Sequence, residues 1–164
     1  REWSYDAYIS RRVWINCDGW VGKRNSNLEE AERIIREVKK FCDWAGDRQY
    51  EIAILTFYKG QEGLLREKLK ELPGQKNRYT HFSYRNCSIR LATVDFFQGQ
   101  EADIVFLSMV NTSRDGFLDT PNRLNVAVTR ARHQMVIVGK HSYFKSDSPT
   151  RELRKLAEMY GRID

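Results

Sequence analysis

Short, almost entirely apolar runs alternate with amphipathic segments along this chain, and this alternation limits the possible folds more than any other feature. Such runs suit strands of a parallel sheet that is covered on both faces, whereas a strand with one wet face would alternate apolar and polar residues. The predicted strands are residues 13–16, 51–57, 88–94, 103–110 and 134–139. The sequence therefore predicts an α/β fold with a mostly parallel sheet.

The segments between the strands have helical spacing. The first contains Asn27, a favourable capping residue, with Glu30 three positions later as in a capping box. Its apolar residues recur at helical spacing and predict one buried face; they are Leu28, Ala31, Ile34, Ile35, Val38, Phe41 and Cys42. The predicted helices are residues 27–45, 60–72, 121–132 and 150–161. In the third predicted helix, Pro121 suits the first helical position, and Asp119 or Thr120 suits the N-cap.

The composition is typical of a folded domain. Hydrophobic residues make up 41% and charged residues 30% of 164 residues, which excludes a disordered chain, and no apolar run is long enough to span a bilayer. We expect one domain over residues 13–164, and we interpret residues 1–12, which lack a clear period, as an extension or the tail of a preceding domain. A net charge of +6 suits an anionic partner such as nucleic acid, although an ordinary basic surface would give the same value.

Cysteine and histidine usage argues against a disulfide framework and against a metal site. The three cysteines, Cys17, Cys42 and Cys87, lie far apart without a CxxC pair, and the three histidines are scattered too. We therefore expect reduced, mostly buried thiols in an intracellular protein, and no bound metal.

Polar residues that a core does not need follow two of the strands, in segments 56–61 and 93–101. Because ligands of open parallel sheets collect at the carboxyl ends of strands, we expect a site there. Gly99 suits a tight turn. Asp95 and Glu101 could hold a metal, act as acid and base, or cap a turn and pair with Arg130.

The predicted helix 121–132 carries three arginines, Arg123, Arg130 and Arg132. Helical spacing gives it a buried face, made of Leu124, Ala127, Val128 and Ala131. Either the arginines lie on a solvated face, or the small residues let the helix lie close to a ligand with one cation projecting towards the same region as the two loops. The motifs GxxxxGK[ST] and GxSxG are missing, so the residues alone supply no complete catalytic set.

Two stretches together resemble a known family. "TVDFFQGQEADIVFLSMV" and "GFLDTPNRLNVAVTRARHQMVIVG" are similar to motifs V and VI of superfamily 1 helicases of the up-frameshift-like branch, and "AILTFYKGQEGLLREKL" resembles motif IV. The likeness covers residues 13–144 in the family's order. It implies the second, C-terminal RecA-like motor domain of such a helicase. The implied fold is a three-layer RecA-like P-loop NTPase fold with helices on both faces of the sheet, lacking the phosphate loop.

The resemblance also implies ligands and partners. ATP and Mg²⁺ would be bound mainly by a first RecA-like domain of the same parent, and this chain would supply the other half of the cleft. Single-stranded RNA or DNA would cross the top of both domains, and no membrane is involved. The parent would be an ATP-dependent helicase or translocase, whereas we expect the isolated chain to be inactive.

The implied roles fall on particular residues. Arg130 matches the catalytic arginine finger, and Glu101 matches a glutamate that contacts the nucleotide. Gln98 and Gly99 match the nucleotide-binding loop that couples nucleotide state to the strand.

Further matches concern the strand and the support of motif VI. Thr93 could donate to a phosphate and Tyr58 could stack on or flank the strand, with Gln61 as a further nucleic-acid contact. We expect a structural role for Arg123 and Arg132, against direct phosphate contact, and Asn125 would orient the motif V loop.

Two other functions remain open at this level, and the role of one surface stretch is open as well. The chain could be a catalytically inert nucleic-acid or protein docking module, or a metal-dependent nuclease that uses Asp95 and Glu101. The stretch 74–86 interleaves charge with rings and either extends the nucleic-acid track or is a variable surface connection; its candidates are Lys76, Arg78, Tyr79, Phe82, Tyr84 and Arg85.

Overall fold

Seven strands form one sheet in the computed structural model, which describes residues 2–113 and 121–164. In chain order they are β1 (Arg12–Asn16), β2 (Glu51–Thr56), β3 (His81–Tyr84), β4 (Cys87–Thr93), β5 (Ala102–Ser108), β6 (Ala131–Gly139) and β7 (Gly161–Ile163). Their order across the sheet is β3-β4-β2-β5-β6-β1-β7. Every neighbouring pair is parallel except β3–β4, which is antiparallel.

Helices cover the sheet, and they are α1 (Leu28–Ala45), α2 (Lys59–Lys70), α3 (Pro121–Val128) and α4 (Arg151–Met159). A 3₁₀ helix spans Val94–Phe97 and a π-helix spans Tyr143–Asp147. The cap predicted for α1 at Asn27 is confirmed, but the reciprocal backbone bond of a capping box is replaced, because the Asn27 N–H donates to the Gln61 side chain at 2.7 Å. The Asn27 side chain accepts a hydrogen bond from the Glu30 N–H at 3.1 Å and donates one to the Glu30 carboxylate at 3.1 Å.

The two faces of the sheet carry separate apolar cores. Ile52 and Ile54 of β2 pack in one core with α1 and α2, while Ala53 and Leu55 pack in the other with α3 and α4. Successive residues of a strand point to opposite faces, so a strand that is apolar throughout must be covered on both. The predicted α/β fold with helices on both faces of a mostly parallel sheet is confirmed.

Parallel strands require the chain to return across the sheet after each strand. The central strands end together at one edge, at Thr56, Thr93 and Ser108, which we call the carboxyl edge. They start at the opposite edge, which we call the amino edge. Segment 94–101 and helix α3 both run from the carboxyl edge back to the amino edge, so each has one end at either edge.

Several predicted boundaries were wrong, and one error matters for the site. The helix predicted over 121–132 ends at Val128, and residues 131–133, expected to lie before a strand over 134–139, already belong to β6. Ala131 pairs with Ala102 of β5, so strand pairing ends the helical pattern. Arg130 and Arg132 are therefore not on a helix face. The cap expected at Asp119 or Thr120 lies outside the described residues.

Two short strands were not predicted, and the burial of some residues on α1 was predicted wrongly. β3 and β7, each at a sheet edge, were not predicted, because both are short and have little apolar pattern. On α1, Leu28 is exposed, and Glu30 and Glu37 are buried on the face expected to be apolar. The remaining predicted elements differ from the structure by one or two residues at their ends.

Residues before β1 are packed rather than frayed. Trp3, Tyr5 and Tyr8 lie in the core beside α1, where Trp3 stacks on Phe41 with 5.6 Å between ring centroids. The Tyr8 hydroxyl donates to the Glu37 carboxylate at 2.7 Å, which satisfies one of the unexpected buried charges. The domain boundary at residue 13 stays a prediction. No helix among the described residues is long and apolar enough to cross a membrane.

Candidate functional site

The predicted site residues lie at both edges of the sheet, not together at the carboxyl edge as expected. Thr93 and Arg123 lie at the carboxyl edge, while Glu101 and Arg130 lie at the amino edge. The expectation was wrong because segment 94–101 and α3 each cross the sheet. In each of these two segments, the first residue and the last residue are therefore separated by about the length of a strand.

Arg130 occupies the short coil between α3 and β6 at the amino edge. Its carbonyl accepts a hydrogen bond from the Ala102 N–H at 3.1 Å, which fixes its backbone beside the start of β5. Among the described residues, its guanidinium hydrogen-bonds only to the Val126 carbonyl, at 3.1 Å through Nε. The terminal nitrogens of Arg130 thus remain available as donors in the part of the chain that the structure describes.

Glu101 directly precedes β5 and is exposed, so its carboxylate lies on the same edge as Arg130. No ion pair joins Glu101 to Arg130 within the described ranges. Gly99 has a φ of +82°, as the predicted tight turn requires, and Gln98 is exposed just before it. Gln98 and Gly99 therefore lie in the part of segment 94–101 that reaches the amino edge.

The other two arginines are bound to carboxylates. Arg123 makes a bidentate contact with the Asp95 carboxylate. Its Nε donates to one oxygen at 3.2 Å, and a terminal nitrogen donates to the other at 3.1 Å. It also donates to the Phe57 carbonyl at 3.4 Å. Asp95 therefore pairs with Arg123, not with Arg130. These contacts join the start of α3 to the 3₁₀ helix and to the end of β2.

Arg132 contacts Asp103 at 3.3 Å and Glu51 at 3.4 Å, at the starts of β5 and β2. Asp103 in turn accepts a hydrogen bond from the Glu51 N–H at 2.8 Å. Asn125 is exposed, and its side chain makes no hydrogen bond to segment 93–101 among the described residues. The orienting role predicted for Asn125 has no contact of that kind to support it.

A groove of about 540 Å³ lies at the carboxyl edge, and we call it the edge groove. Thr93 and Tyr58 line it together with Arg123. Tyr58 is only 4% exposed, and its hydroxyl donates to Asn111 at 2.6 Å, so the ring flanks the groove and is not free to stack. Lys59 and Arg24 add positive charge to the same groove.

The direct nucleic-acid contact predicted for Gln61 does not fit the structure. Gln61 is fully buried, and its amide accepts from the Asn27 N–H at 2.7 Å. It also donates to the Asn27 carbonyl and to the Ser108 hydroxyl, each at 3.0 Å. Gln61 joins α2 to the start of α1 and the end of β5, because an amide has both donors and acceptors to satisfy.

Glu30 completes this buried polar network. Its carboxylate accepts from the Ser108 hydroxyl at 2.8 Å and from the Val110 N–H at 2.9 Å. Val110 has a φ of +68°, a conformation that β-branched residues rarely adopt. Burial raises the pKa of Glu30 to about 8, although the bonds from Val110 and Ser108 oppose the shift.

The stretch 74–86 divides between core and surface. Phe82 is buried in β3, and Arg85, in the β3–β4 turn, pairs with Asp43 at 3.4 Å. Tyr79 is exposed and lies under the Arg66 guanidinium, 3.8 Å from the ring centroid. Lys76 and Arg78 are exposed and Tyr84 is half-buried. Only part of the stretch is thus available to a ligand.

The sequence interpretation missed several groove residues. Arg24 and Asn25 both have positive φ values, in a loop whose Arg24 carbonyl lies against Gly60, where a side chain would clash. Phe96 is exposed next to the buried Phe97. A four-residue helical turn cannot direct two consecutive rings to one core, so the pair "FF" could have indicated an exposed aromatic ring.

No group of three or more potential metal ligands occurs among the described residues. Asp95 and Glu101 lie at opposite ends of segment 94–101, and Asp95 is bound to Arg123. The geometry therefore gives no support to a nuclease that uses this pair. All three cysteines are free and buried.

Comparison with known proteins places the chain in a family. Residues 10–142 match the model of a family described as an AAA domain. The chain belongs to this family. An uncharacterized ATP-dependent helicase of Methanocaldococcus jannaschii is 34% identical over 88% of the chain and 20% of the helicase. The Regulator of nonsense transcripts 1 homolog of Neurospora crassa is 36% identical over 69% of the chain, and helicase sen1 of Schizosaccharomyces pombe is 36% identical over 74%.

These relatives confirm the resemblance to an up-frameshift-like superfamily 1 helicase domain. The chain spans only 20%, 10% and 7% of their respective lengths. Among solved structures, the C-terminal domain of a possible DNA helicase from Lactobacillus plantarum WCFS1 superimposes with a TM-score of 0.56 at 13% identity. The superposition covers 93% of this chain and 84% of that domain, and it confirms the predicted RecA-like fold.

Proposed function

We propose that this helicase domain is the C-terminal motor domain of an ATP-dependent helicase or translocase, and that Arg130 is its arginine finger. One observation carries the proposal. Of the three arginines in 123–132, Arg123 and Arg132 are bound to carboxylates, whereas the Arg130 guanidinium bonds only to the Val126 carbonyl of α3 among the described residues. A cation that is held in place without a counter-ion among the described residues suits an anionic ligand.

The residues at the amino edge fit one half of an ATP site. The terminal guanidinium nitrogens of Arg130 have no acceptor among residues 2–113 and 121–164, and its backbone is fixed by β5. The exposed Glu101 stands beside it with oxygen acceptors for ribose hydroxyls or water. ATP, when bound, supplies the phosphoanhydride bond that is hydrolysed. Arg130 would donate to oxygens on which negative charge develops, an effect of about 10³ to 10⁵ in rate. Mg²⁺ and the phosphate loop would belong to the first RecA-like domain of the parent.

The carboxyl edge fits a track for single-stranded RNA or DNA. Thr93 can donate to a phosphate, and Lys59 and Arg24 place positive charge in the edge groove. Contacts of this kind hold the backbone without selecting a sequence. Segment 94–101 runs from Thr93 in this groove to Glu101 beside Arg130, with Gln98 and Gly99 between them. A shift at one edge would therefore move the other, which supports a coupling role for this segment.

The test is ATP turnover by the full-length parent, with and without single-stranded RNA or DNA. Arg130→Ala should lower stimulated turnover by about 10³ or more while nucleotide affinity changes little, and Arg130→Lys should not restore it. Arg151→Ala, an exposed arginine at the start of α4, is the matched control. Turnover of Arg130→Ala within a few-fold of wild type would exclude the finger. The isolated chain should show no turnover that depends on Arg130.

A further inference from the structure

A second cavity continues the edge groove around the side of the sheet. This side cavity, of about 450 Å³, lies between the start of α2, the outer edge of β4 and the 3₁₀ helix. Lys59 and Phe96 line both the edge groove and the side cavity. A chain that follows the edge groove past Thr93 therefore meets the side cavity next.

The sheet itself leaves this cavity open. β3 pairs with β4 only as far as Arg90, and the Leu91 N–H still bonds to the Thr80 carbonyl at 2.9 Å. Beyond that point the described part of the chain places no strand on the outer side of the last residues of β4. Ala92 forms part of the cavity wall there. A ligand can thus lie directly against the strand edge.

Phe96 presents its ring at the junction of the two cavities. The ring is 74% exposed, although its neighbours Val94 and Phe97 are buried. The Asp95 carboxylate is bound by Arg123, and the Phe96 carbonyl accepts a hydrogen bond from the Gln100 side-chain amide at 3.2 Å. With the backbone fixed on both sides, the ring cannot turn into the core. Solvent exposure of a rigid ring costs free energy unless a ligand covers it.

Tyr79 provides a second aromatic ring with a fixed orientation, and it also lines the side cavity. It is 66% exposed. The Arg66 Nε donates to the Tyr79 carbonyl at 2.9 Å, and the guanidinium lies 3.8 Å from the ring centroid. This cation–π contact fixes the orientation of the ring before any ligand arrives, which lowers the entropy cost of stacking on it.

The charge of the side cavity is positive. Lys59, Arg66 and Arg90 line it, against the single carboxylate of Glu62. Arg66 contacts Glu62 at 3.7 Å and Arg90 contacts Glu51 at 3.5 Å, whereas Lys59 makes no ion pair among the described residues. Rings interleaved with cations are the combination that binds single-stranded nucleic acid.

We propose that the side cavity is a nucleobase-binding site, in which bases of the single strand that leaves the edge groove stack on Phe96 and Tyr79. The inference rests on the proposed function, because it uses the same strand. Stacking of this kind tolerates any base, so the site would grip the strand without reading its sequence. A free nucleotide has the same ring chemistry, and the experiment below separates the two sources.

The experiment uses the 164-residue chain and a fluorescein-labelled uridine oligonucleotide, with binding followed by anisotropy. Phe96→Leu and Tyr79→Leu should each weaken binding roughly tenfold, while Phe96→Tyr should bind as wild type. Met159→Ala removes an exposed apolar side chain on α4 and is the control. Thermal melts of all variants check that each is folded.

Two further probes locate the contact. An oligonucleotide with abasic spacers should bind weakly and equally to wild type and Phe96→Leu, because the spacers remove the stacking partner. A strand containing 4-thiouridine should, on irradiation, crosslink to peptides that contain Phe96 or Tyr79. Uridine monophosphate should bind far more weakly than the strand.

The failures are distinguishable. Oligonucleotide binding that is unchanged in both leucine variants, with crosslinks elsewhere, overturns the base site and leaves the proposed nucleic-acid track standing. Uridine monophosphate that binds as tightly as the strand, with the same loss in the variants, also overturns it in favour of a free-nucleotide site. A wild-type chain that does not bind the oligonucleotide removes the track and the base site together.

Discussion

The two edges of the sheet differ in how their polar groups are satisfied. At the carboxyl edge, Glu30, Gln61 and Ser108 are buried and bonded to one another, and Arg123 is bound to Asp95. At the amino edge, Arg132 is paired with Asp103 and Glu51, whereas the half-buried Arg130 and the exposed Glu101 make no ion pair among the described residues. Burying polar groups without partners is costly, so folding must complete the carboxyl edge. Charges that keep part or all of their hydration carry a smaller cost, so Arg130 and Glu101 can remain without an ion pair until another surface binds there.

The largest effect should come from the buried amide at the carboxyl edge. Gln61→Ala leaves the Asn27 N–H without its acceptor, removes the bond that the Ser108 hydroxyl accepts, and opens a cavity, so we expect a loss of about 2–4 kcal/mol in unfolding free energy. Gln98→Ala, an exposed glutamine in segment 94–101, should change it by less than about 0.5 kcal/mol. Urea denaturation of both variants gives the comparison, and equal losses would contradict it.

The carboxyl edge should also respond to pH through Glu30. Its pKa in the folded state, about 8, lies above its value in the unfolded chain, so the folded protein holds a proton that the unfolded chain has released. Stability should therefore fall as pH rises from about 5 to 8 and level off above that, with a slope of up to about 1.4 kcal/mol per pH unit.

Glu30→Gln removes this titration, so its unfolding free energy should be flatter over the same range. Unfolding free energies of the wild type and of Glu30→Gln, measured at the same pH values, give the contribution of the Glu30 titration. Parallel pH profiles would show that the bonds from Ser108 and Val110 keep Glu30 ionised despite its burial.

A smaller effect is expected at the Arg123–Asp95 pair. Arg123→Ala removes this contact and the bond to the Phe57 carbonyl, so we expect a loss of about 1 kcal/mol, limited by the exposure of Asp95. A double-mutant cycle with Asp95→Ala measures the coupling directly. A coupling near zero would mean that the buried side chains of Val94 and Phe97 hold the 3₁₀ helix without help from the ion pair.

Much of the fold followed from local pattern, because strands covered on both faces must be apolar throughout. The start of α1 was predictable too, since Asn27 and Glu30 carry a local capping signal. The end of α3 was not. Residues 131 and 132 continue the predicted helical pattern, and only the pairing of Ala131 with Ala102, distant in sequence, makes them part of a strand.

The sequence named candidate site residues, but it did not predict their arrangement. Motif likeness named Arg130 and Glu101, while their separation from Thr93 depends on which segments cross the sheet. Gln61 shows the other limit. A polar residue in a motif resembles a ligand contact in sequence, and only its burial beside Asn27 and Ser108 reveals a structural role.

The smallest effect on stability should come from Arg130, and that is what makes it informative. Its guanidinium bonds only to the Val126 carbonyl among the described residues, so Arg130→Ala should change the unfolding free energy of the isolated chain by less than about 0.5 kcal/mol. Arg132→Ala, which breaks contacts with Asp103 and Glu51, should cost more. If Arg130→Ala were the more destabilising variant, Arg130 would serve to hold the chain between α3 and β6. A neutral result, together with lost turnover in the parent, would mean that the charge acts outside this domain.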